Sequence, residues 1–316
     1  MDFKIKEGYL VYQTSRDPVL VTPHSGPALE IATSRDDNSE TVASLCWQKI
    51  GGTLIISNVS RKRMWGIDFN RDIPPKKIAL DMFNKFVEGE ETDELFKYGE
   101  KYSWVAVSEK DYERRLNIYK KFWMDVGKGN FIVLIHRAFP RIKLIPGLID
   151  VMSFNLELKE RLPDIINRIN SKYESFFKKI EKDYKQMIFF EEKRFVCNVL
   201  KTHNSFNLEA MNLDFKQNIA KDLEVIKRIL GEYYYRSLIN HFNSKNFISA
   251  TKNILSTIGP PRVTIEQAFS GELSYGPKQM LDSSKKILQI EPSRFMNFWY
   301  PKVTADIIEE IVTRLQ

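Results

Sequence analysis

Residues 38–57, NSETVASLCWQKIGGTLIIS, join a helix directly to a buried strand. Over residues 38–50 the apolar side chains recur at helical spacing, and Gly51-Gly52 is a typical helix stop. The next run, Thr53–Ser57, is almost wholly apolar, as in a strand that is buried on both faces. Upstream, Val19–Thr22 has the pattern of another strand. A strand, a helix and a buried strand in this order predict a βαβ crossover within a mostly parallel sheet.

Patterns of the same kind recur towards both ends of the chain. Further strands are predicted at Tyr9–Tyr12, Phe131–Ile135, Leu148–Ser153, Val263–Ala268 and Ile287–Ile290. Further helices are predicted over residues 76–89, 109–126 and 303–315. We therefore expect an α/β fold with a mixed, mostly parallel sheet flanked by helices, of the phosphorylase/hydrolase-like type.

The region from 156 to 258 has a different character. Polar, apolar and aromatic residues alternate at helical spacing there, with apolar positions such as Ile165 and Ile169, and strong helix breakers are few. This pattern predicts an all-helical insertion of about four helices. The expected organisation is an α/β domain of residues 1–155 and 259–316, interrupted by a helical insertion of residues 156–258.

Composition narrows the classes of function. The net charge is +7, but Lys and Glu alternate through most helical stretches, which is typical of a solvated face, so a nucleic-acid partner is not expected. No run approaches the roughly 20 apolar residues of a membrane span, and the charged N-terminus lacks the apolar core of a signal peptide. Cys46 and Cys197 lie in apolar helical patterns that predict buried, reduced thiols. We expect a cytoplasmic protein with no membrane partner, and the sequence leaves its oligomeric state open.

Two of the four histidines directly follow predicted strands. His24 comes after Val19–Thr22 and His136 after Phe131–Ile135, whereas His203 and His241 lie in the predicted insertion. Ligands of open α/β sheets bind beyond the carboxyl ends of the strands, so His24 and His136 are candidate ligands of one divalent ion. Zinc in a catalytic site takes three protein ligands and a water. The spacing does not choose the third ligand among the nearby carboxylates, which are Glu30, Asp36, Asp37 and Glu40.

Two other groups of residues also follow strands. The basic stretch 60–71 comes after Thr53–Ser57, and its arginines can bind a substrate carboxylate or stabilise an oxyanion, although composition alone favours a basic surface loop. Glu291 ends the apolar strand Ile287–Ile290. A buried carboxylate is costly unless it is paired or functional, and a general base would explain this one.

Taken in this order, these pieces resemble the N-formylglutamate amidohydrolase family, whose relatives are the zinc carboxypeptidases. The likeness spans about residues 18–75, 130–153 and 262–316. It is carried by Pro23-His24-Ser25-Gly26, by Asp36-Asp37 before a helix that ends in Gly-Gly-Thr, by Ser60-Arg61, by Asp68-Phe69-Asn70-Arg71, by Leu134-Ile135-His136 and by Leu288-Gln289-Ile290-Glu291.

The resemblance implies a Zn2+-dependent hydrolase that cuts an amide bond in an N-formylglutamate-like N-acyl amino acid or a small peptide. Its substrate would be a small molecule that carries a carboxylate. His24 and His136 would bind the metal, and Glu30 or Asp37 would complete the set. Asp37 matches the family's acidic position, whereas Glu30 is similar to the metal ligand of related poly-γ-glutamate hydrolases and is preferred.

The resemblance also implies roles for four other residues. Glu291 would be the general base and Arg61 would polarise the scissile carbonyl. Asn70 and Arg71 would bind the substrate carboxylate.

Two departures from the family pattern bear on the substrate more than on the reaction type. They are the insertion and Arg137, which stands where the family has Ser. A carboxypeptidase-like or γ-glutamyl peptidase acting on larger substrates is the alternative enzyme. A non-catalytic protein on a hydrolase scaffold, which binds nucleic acid or another protein through its basic helices, is the alternative from a different class.

Overall fold

A computed structural model describes most of the two regions that flank the predicted insertion. The described residues are 2–27, 35–61, 64–88, 98, 101–138, 147–187, 232, 236, 260–266 and 275–316. The chain divides into two compact units. The first comprises Met1–Ala138, Ile149–Ile169 and Thr264–Gln316, and the second comprises Phe139–Leu148 and Asn170–Val263.

Eight strands among the described residues form one sheet. In chain order they are β1 (Asp2–Lys6), β2 (Tyr9–Gln13), β3 (Val19–Thr22), β4 (Thr53–Ser57), β5 (Phe131–Ile135), β6 (Gly147–Ser153), β7 (Arg262–Ile265) and β8 (Lys286–Pro292). Their order across the sheet is β1-β2-β4-β3-β5-β8-β6-β7. Strands β4, β3, β5 and β8 run parallel to one another, and the pairs β1–β2, β2–β4 and β8–β6 are antiparallel. The prediction of a mixed, mostly parallel sheet is therefore confirmed.

Helices cover both faces of the parallel strands. They are α1 (Ser39–Ile50), α2 (Lys76–Val87), α3 (Glu109–Val126), α4 (Leu156–Lys172), α5 (Tyr275–Met280), α6 (Arg294–Trp299) and α7 (Pro301–Leu315). Val19 and Val21 of β3 share a buried cluster with α3. Because side chains alternate along a strand, Leu20 points to the opposite face, and it is also fully buried. Helix α1 contacts β3 and packs against α7.

Helix α3 holds the loop that follows β4. Ser108 caps its first turn by accepting a hydrogen bond from the Asp111 amide, at 3.2 Å. On its buried face, the ring of Phe122 stacks on Phe69 with the centroids 3.9 Å apart, and Trp123 Nε1 donates to the Phe69 carbonyl at 3.1 Å. The helix therefore fixes the backbone around Phe69.

Most predicted elements of the α/β part are confirmed, and the differences are local. The βαβ unit of β3, α1 and β4 is present, with β3 and β4 adjacent and parallel. Strand β8 runs on to Pro292, so Glu291 lies inside the strand and not after it. Strand β1 and the short helices α5 and α6 were not predicted from the pattern. Cys46 is buried with a free thiol, as predicted, and Cys197 lies outside the described residues.

The predicted insertion is described only at its start. Helix α4 and a helical stretch over residues 174–187 agree with the prediction, as do the two single helical positions 232 and 236. The rest of 188–259 lies outside the described residues, so the all-helical insertion stays a prediction, as do its bounds. Within the described ranges, no helix is both long enough and apolar enough to cross a membrane.

We predict that Phe122→Ala destabilises the protein by about 3–5 kcal/mol, because it leaves a cavity under Phe69 and the sheet. Met124→Ala, on the same helix, is the matched control, since the Met124 side chain is 66% exposed. Its effect should stay within about 0.5 kcal/mol. Urea denaturation followed by circular dichroism measures both, and equal midpoints for the two variants would contradict the described packing.

Candidate metal centre

His24 lies in a tight turn at the carboxyl end of β3. The Ser25 hydroxyl lies 2.9 Å from the Thr22 carbonyl and 3.0 Å from the Ser57 carbonyl, so it ties the ends of β3 and β4 together. A Cβ at Gly26 would lie 1.9 Å from the Val59 carbonyl oxygen, so only glycine fits there. This explains the small residues that follow His24 in the sequence.

His136 extends strand β5 by one residue. Its backbone amide donates to the carbonyl of Ile290 in β8 at 2.9 Å, which continues the parallel ladder past the last strand residue. Because β3 and β5 are adjacent and parallel, His24 and His136 lie at the same edge of the sheet. Their ring centroids are 5.0 Å apart, and both side chains are buried.

The carboxylate of Asp36 lies between the two imidazoles. The Asp36 amide donates to the His24 carbonyl at 2.9 Å, which brings the two residues together. Asp36 Oδ2 is 3.2 Å from Nδ1 of His24 and 2.9 Å from Nδ1 of His136. Tetrahedral zinc with bonds of about 2.0–2.1 Å holds its donor atoms roughly 3.3 Å apart. The three buried side chains have the composition and the spacing of a group that could hold a metal ion.

The outer nitrogen of each imidazole also has a neighbour. Nε2 of His24 lies 3.0 Å from Asp68 Oδ1, and Nε2 of His136 lies 3.4 Å from Asn70 Nδ2. The amide oxygen of Asn70 is buried without a hydrogen-bond partner among the described residues, and a half-turn of that amide would let it accept from His136. Metal-binding histidines commonly use their second nitrogen in this way, which fixes the ring and leaves the first nitrogen for the metal.

Arg61 lies against both aspartates. Its guanidinium is 3.8 Å from Asp36 Oδ1 and 3.4 Å from Asp68 Oδ2. Burial raises the pKa of the Asp68 carboxyl, but the charge of Arg61 and the contact with His24 outweigh it and hold that pKa well below its usual value. Asp68 is therefore an anion that can orient the His24 ring.

The contacts of Asp36 favour positive charge in the centre of the group. Burial raises the pKa of the Asp36 carboxyl, but hydrogen bonds with His136 and His24 outweigh it and the pKa is lowered. Burial lowers the pKa of His136, yet the hydrogen bond that its ring donates to Asp36 and the charge of Glu291 leave that pKa raised. The lowered pKa of Asp36 and the raised pKa of His136 have the same cause, because an anionic oxygen that faces ring nitrogens attracts a cation.

Glu291 lies in β8 at the same edge of the sheet. Its charge acts on both Arg61 and His136, and Gln289 donates to its Oε1 at 2.8 Å. Directly across the antiparallel pair with β6 stands Asp150, which is also buried and accepts from Thr264 at 2.7 Å. The sequence pattern of β6 did not identify Asp150 as a residue near the site. A carboxylate in an apolar strand can be placed near a site only when its partner strand is known.

Arg71 lies beside Asp68 and is partly open to solvent. Its Nε is 3.9 Å from Asp68 Oδ2 and has no hydrogen-bond partner within the described part of the chain, while about a third of its side chain is exposed. The Tyr119 hydroxyl of α3 donates to the Arg71 carbonyl at 2.9 Å, which fixes the backbone from which the side chain extends.

The structure brings together most of the predicted site residues. His24, His136, Arg61, Asn70, Arg71 and Glu291 all lie around the group described above. Glu30 lies outside the described residues. The carboxylate of Asp37 points elsewhere and lies 3.2 Å from Arg294, whereas Asp36, one of the four carboxylates that the spacing left open, lies between the imidazoles. The resemblance implied no role for Asp68, which contacts His24 and Arg61; its signal in the sequence is a carboxylate two residues before Asn70.

Comparison with protein-family models, with curated proteins and with solved structures gives no match to this chain.

We predict that Asp68→Asn weakens metal binding at this group by about 10–100-fold, with zinc as the probe ion, because the His24 ring loses the anion that orients it. Asp72→Asn is the matched control: Asp72 is a buried aspartate of the same loop, and its carboxylate accepts from Gln279. Competition with a chromophoric chelator measures both affinities. If the two variants bind zinc equally well, Asp68 has no part in the centre.

Proposed function

We propose that the protein is a zinc-dependent hydrolase that cuts the amide bond of an N-acyl amino acid, of the N-formylglutamate type, or of a small peptide. One observation carries the proposal: Asp36 Oδ2 lies within 3.2 Å of Nδ1 in two buried histidines. Asp68 and Asn70 face the outer nitrogens of those rings. A carboxylate and two imidazoles with such partners are the ligand set of many hydrolytic zinc sites.

The residues fit zinc by their chemistry. His24, Asp36 and His136 would supply two nitrogens and one oxygen, which leaves room for the fourth position that catalytic sites keep open. When bound, the ion supplies Lewis acidity, which acidifies water and polarises a carbonyl. The sequence resemblance to the zinc-dependent amidohydrolases supports the same assignment.

Two charged side chains next to this group can serve the reaction. Glu291 would accept a proton from the attacking water and later deliver it to the leaving amine. Its position supports this role, because its charge already acts on His136 and Arg61. Arg61, which lies beside Asp36 and Asp68, would stabilise the negative charge that develops on the carbonyl oxygen.

Arg71 and Asn70 would bind a carboxylate of the substrate. Among the residues that the structure describes, none forms a hydrogen bond with the buried Nε of Arg71, and a guanidinium binds a carboxylate with two parallel hydrogen bonds. Asn70 stands next to it and contacts His136, so a substrate held there would extend towards the metal group. This supports a small substrate with a free carboxylate.

The test is hydrolysis of a panel of N-formyl and N-acetyl amino acids by zinc-loaded protein. Release of a primary amine is measured, and we expect acidic N-acyl amino acids to be cut. Zinc-loaded protein that cuts neither these compounds nor small peptides would contradict the proposal and favour a binding protein on a hydrolase scaffold.

We predict that Arg71→Ala and Glu291→Gln fail in different ways. Arg71→Ala should raise KM more than it lowers kcat, because the substrate carboxylate is present in the ground state and in the transition state. Glu291→Gln should lower kcat by about 10²–10⁴-fold, since the proton transfer belongs to the reaction itself. Steady-state kinetics decide both, with Arg114→Ala as a control, since Arg114 is exposed and pairs with Glu7. Near-normal kcat in Glu291→Gln would assign the base to another carboxylate.

A further inference from the structure

Asp37, next to the candidate ligand Asp36, is held by two arginines from different parts of the fold. Its Oδ2 lies 3.2 Å from Nη2 of Arg294, the first residue of α6. The same oxygen lies 3.8 Å from Nε of Arg137, whose side chain is almost completely buried. Arg137 directly follows His136, so this carboxylate joins the end of β5 to α6 across the start of α1.

The backbone on both sides of Asp37 is held as well. Nη2 of Arg137 donates to the Arg35 carbonyl at 2.8 Å. Asn297 in α6 donates to the Asp37 carbonyl at 3.4 Å, and Asn38 donates to the Asn297 carbonyl at 2.8 Å. These contacts bracket Asp36, because they fix the residue before it and the two residues after it.

The side chain of Asn38 connects the start of α1 to α6. It is the N-cap of α1 with φ of +65°, a left-handed conformation that asparagine tolerates better than most residues. Its side-chain oxygen accepts a hydrogen bond from the Thr41 hydroxyl in the first turn of the helix, at 3.0 Å, in place of the backbone amide that an N-cap side chain ordinarily binds. Its amide nitrogen donates to the Asn297 carbonyl of α6, so one side chain contacts both α1 and α6 and fixes the position of the segment.

We propose that Asp37, Arg294 and Arg137 form a charged clamp that positions Asp36 as a metal ligand. The inference rests on the proposed zinc centre and adds to it residues that do not touch the metal. It also gives a role to Arg137, the residue that departs from the family pattern. Zinc tolerates only a narrow range of bond lengths, so displacing Asp36 by a fraction of an ångström would weaken its bond to an ion held together with both imidazoles.

Arg294→Gln is the decisive variant, because a clamp and simple electrostatics predict opposite changes in zinc affinity. Removing a positive charge close to the centre strengthens cation binding if only through-space charge matters. If the clamp positions Asp36, the same change weakens zinc binding, and we expect a loss of about tenfold or more, as for other outer partners of metal ligands. Arg294→Lys keeps the charge opposite Asp37 and should retain most of the affinity.

Zinc affinity is measured by chelator competition, and the thermal midpoint of zinc-depleted protein is measured in parallel. Asp37→Asn should also weaken zinc binding. Asp306→Asn is the control, since it removes a carboxylate that forms an exposed ion pair with Lys49 between α1 and α7. If Asp37→Asn does not fold, the two Arg294 variants decide alone, because the Arg294 side chain is 30% exposed and we expect its replacement to leave the fold intact.

Weaker zinc binding by Arg294→Gln, with an unchanged thermal midpoint and recovery in Arg294→Lys, would support the clamp. Unchanged or tighter binding by Arg294→Gln in a protein whose wild type binds zinc would overturn the clamp and leave the metal centre intact. Absence of zinc binding in the wild type would overturn the metal centre and also the clamp, which rests on it.

Discussion

The arrangement of the site depends on one constraint: an anionic oxygen, Asp36 Oδ2, is buried against two imidazole nitrogens. A carboxylate removed from water is costly unless a cation or strong donors compensate it. Here the compensation comes from His24, His136 and Arg61, all of which lie around the same carboxylate. A group with this need for positive charge at its centre is suited to a divalent ion, and the surrounding charges are arranged to match.

The parallel sheet makes this arrangement possible. Strands β3, β4, β5 and β8 end at the same edge, so residues separated by more than a hundred positions in the chain come into contact there. Candidate metal ligands follow β3 and β5, Glu291 lies in β8, and the arginines and Asp68 follow β4. The packing of α3 on Phe69 then fixes the β4 loop, which connects core stability to the geometry of the site.

Much of this could be predicted from local pattern, and the remainder could not for physical reasons. The strands Val19–Thr22, Thr53–Ser57 and Phe131–Ile135 are buried on both faces, so their apolar runs predicted both ends of each strand correctly. Strand β1 is exposed along most of its length, which left no such pattern. For the third candidate ligand the resemblance implied Glu30 or Asp37, whereas Asp36 lies between the imidazoles. Asp36 and Asp37 are neighbours with identical side chains, so local pattern could not separate them. Only the tertiary contacts of Arg294 and Arg137 separate their roles.

The most direct test of the central claim is zinc K-edge X-ray absorption on protein loaded with one equivalent of zinc. We expect two imidazole nitrogens and a carboxylate oxygen at about 2.0–2.1 Å, with the rest of the shell from water. In Asp36→Asn the carboxylate contribution should disappear. A spectrum with sulfur at about 2.3 Å, or one that is unchanged by Asp36→Asn, would contradict a centre built from His24, Asp36 and His136.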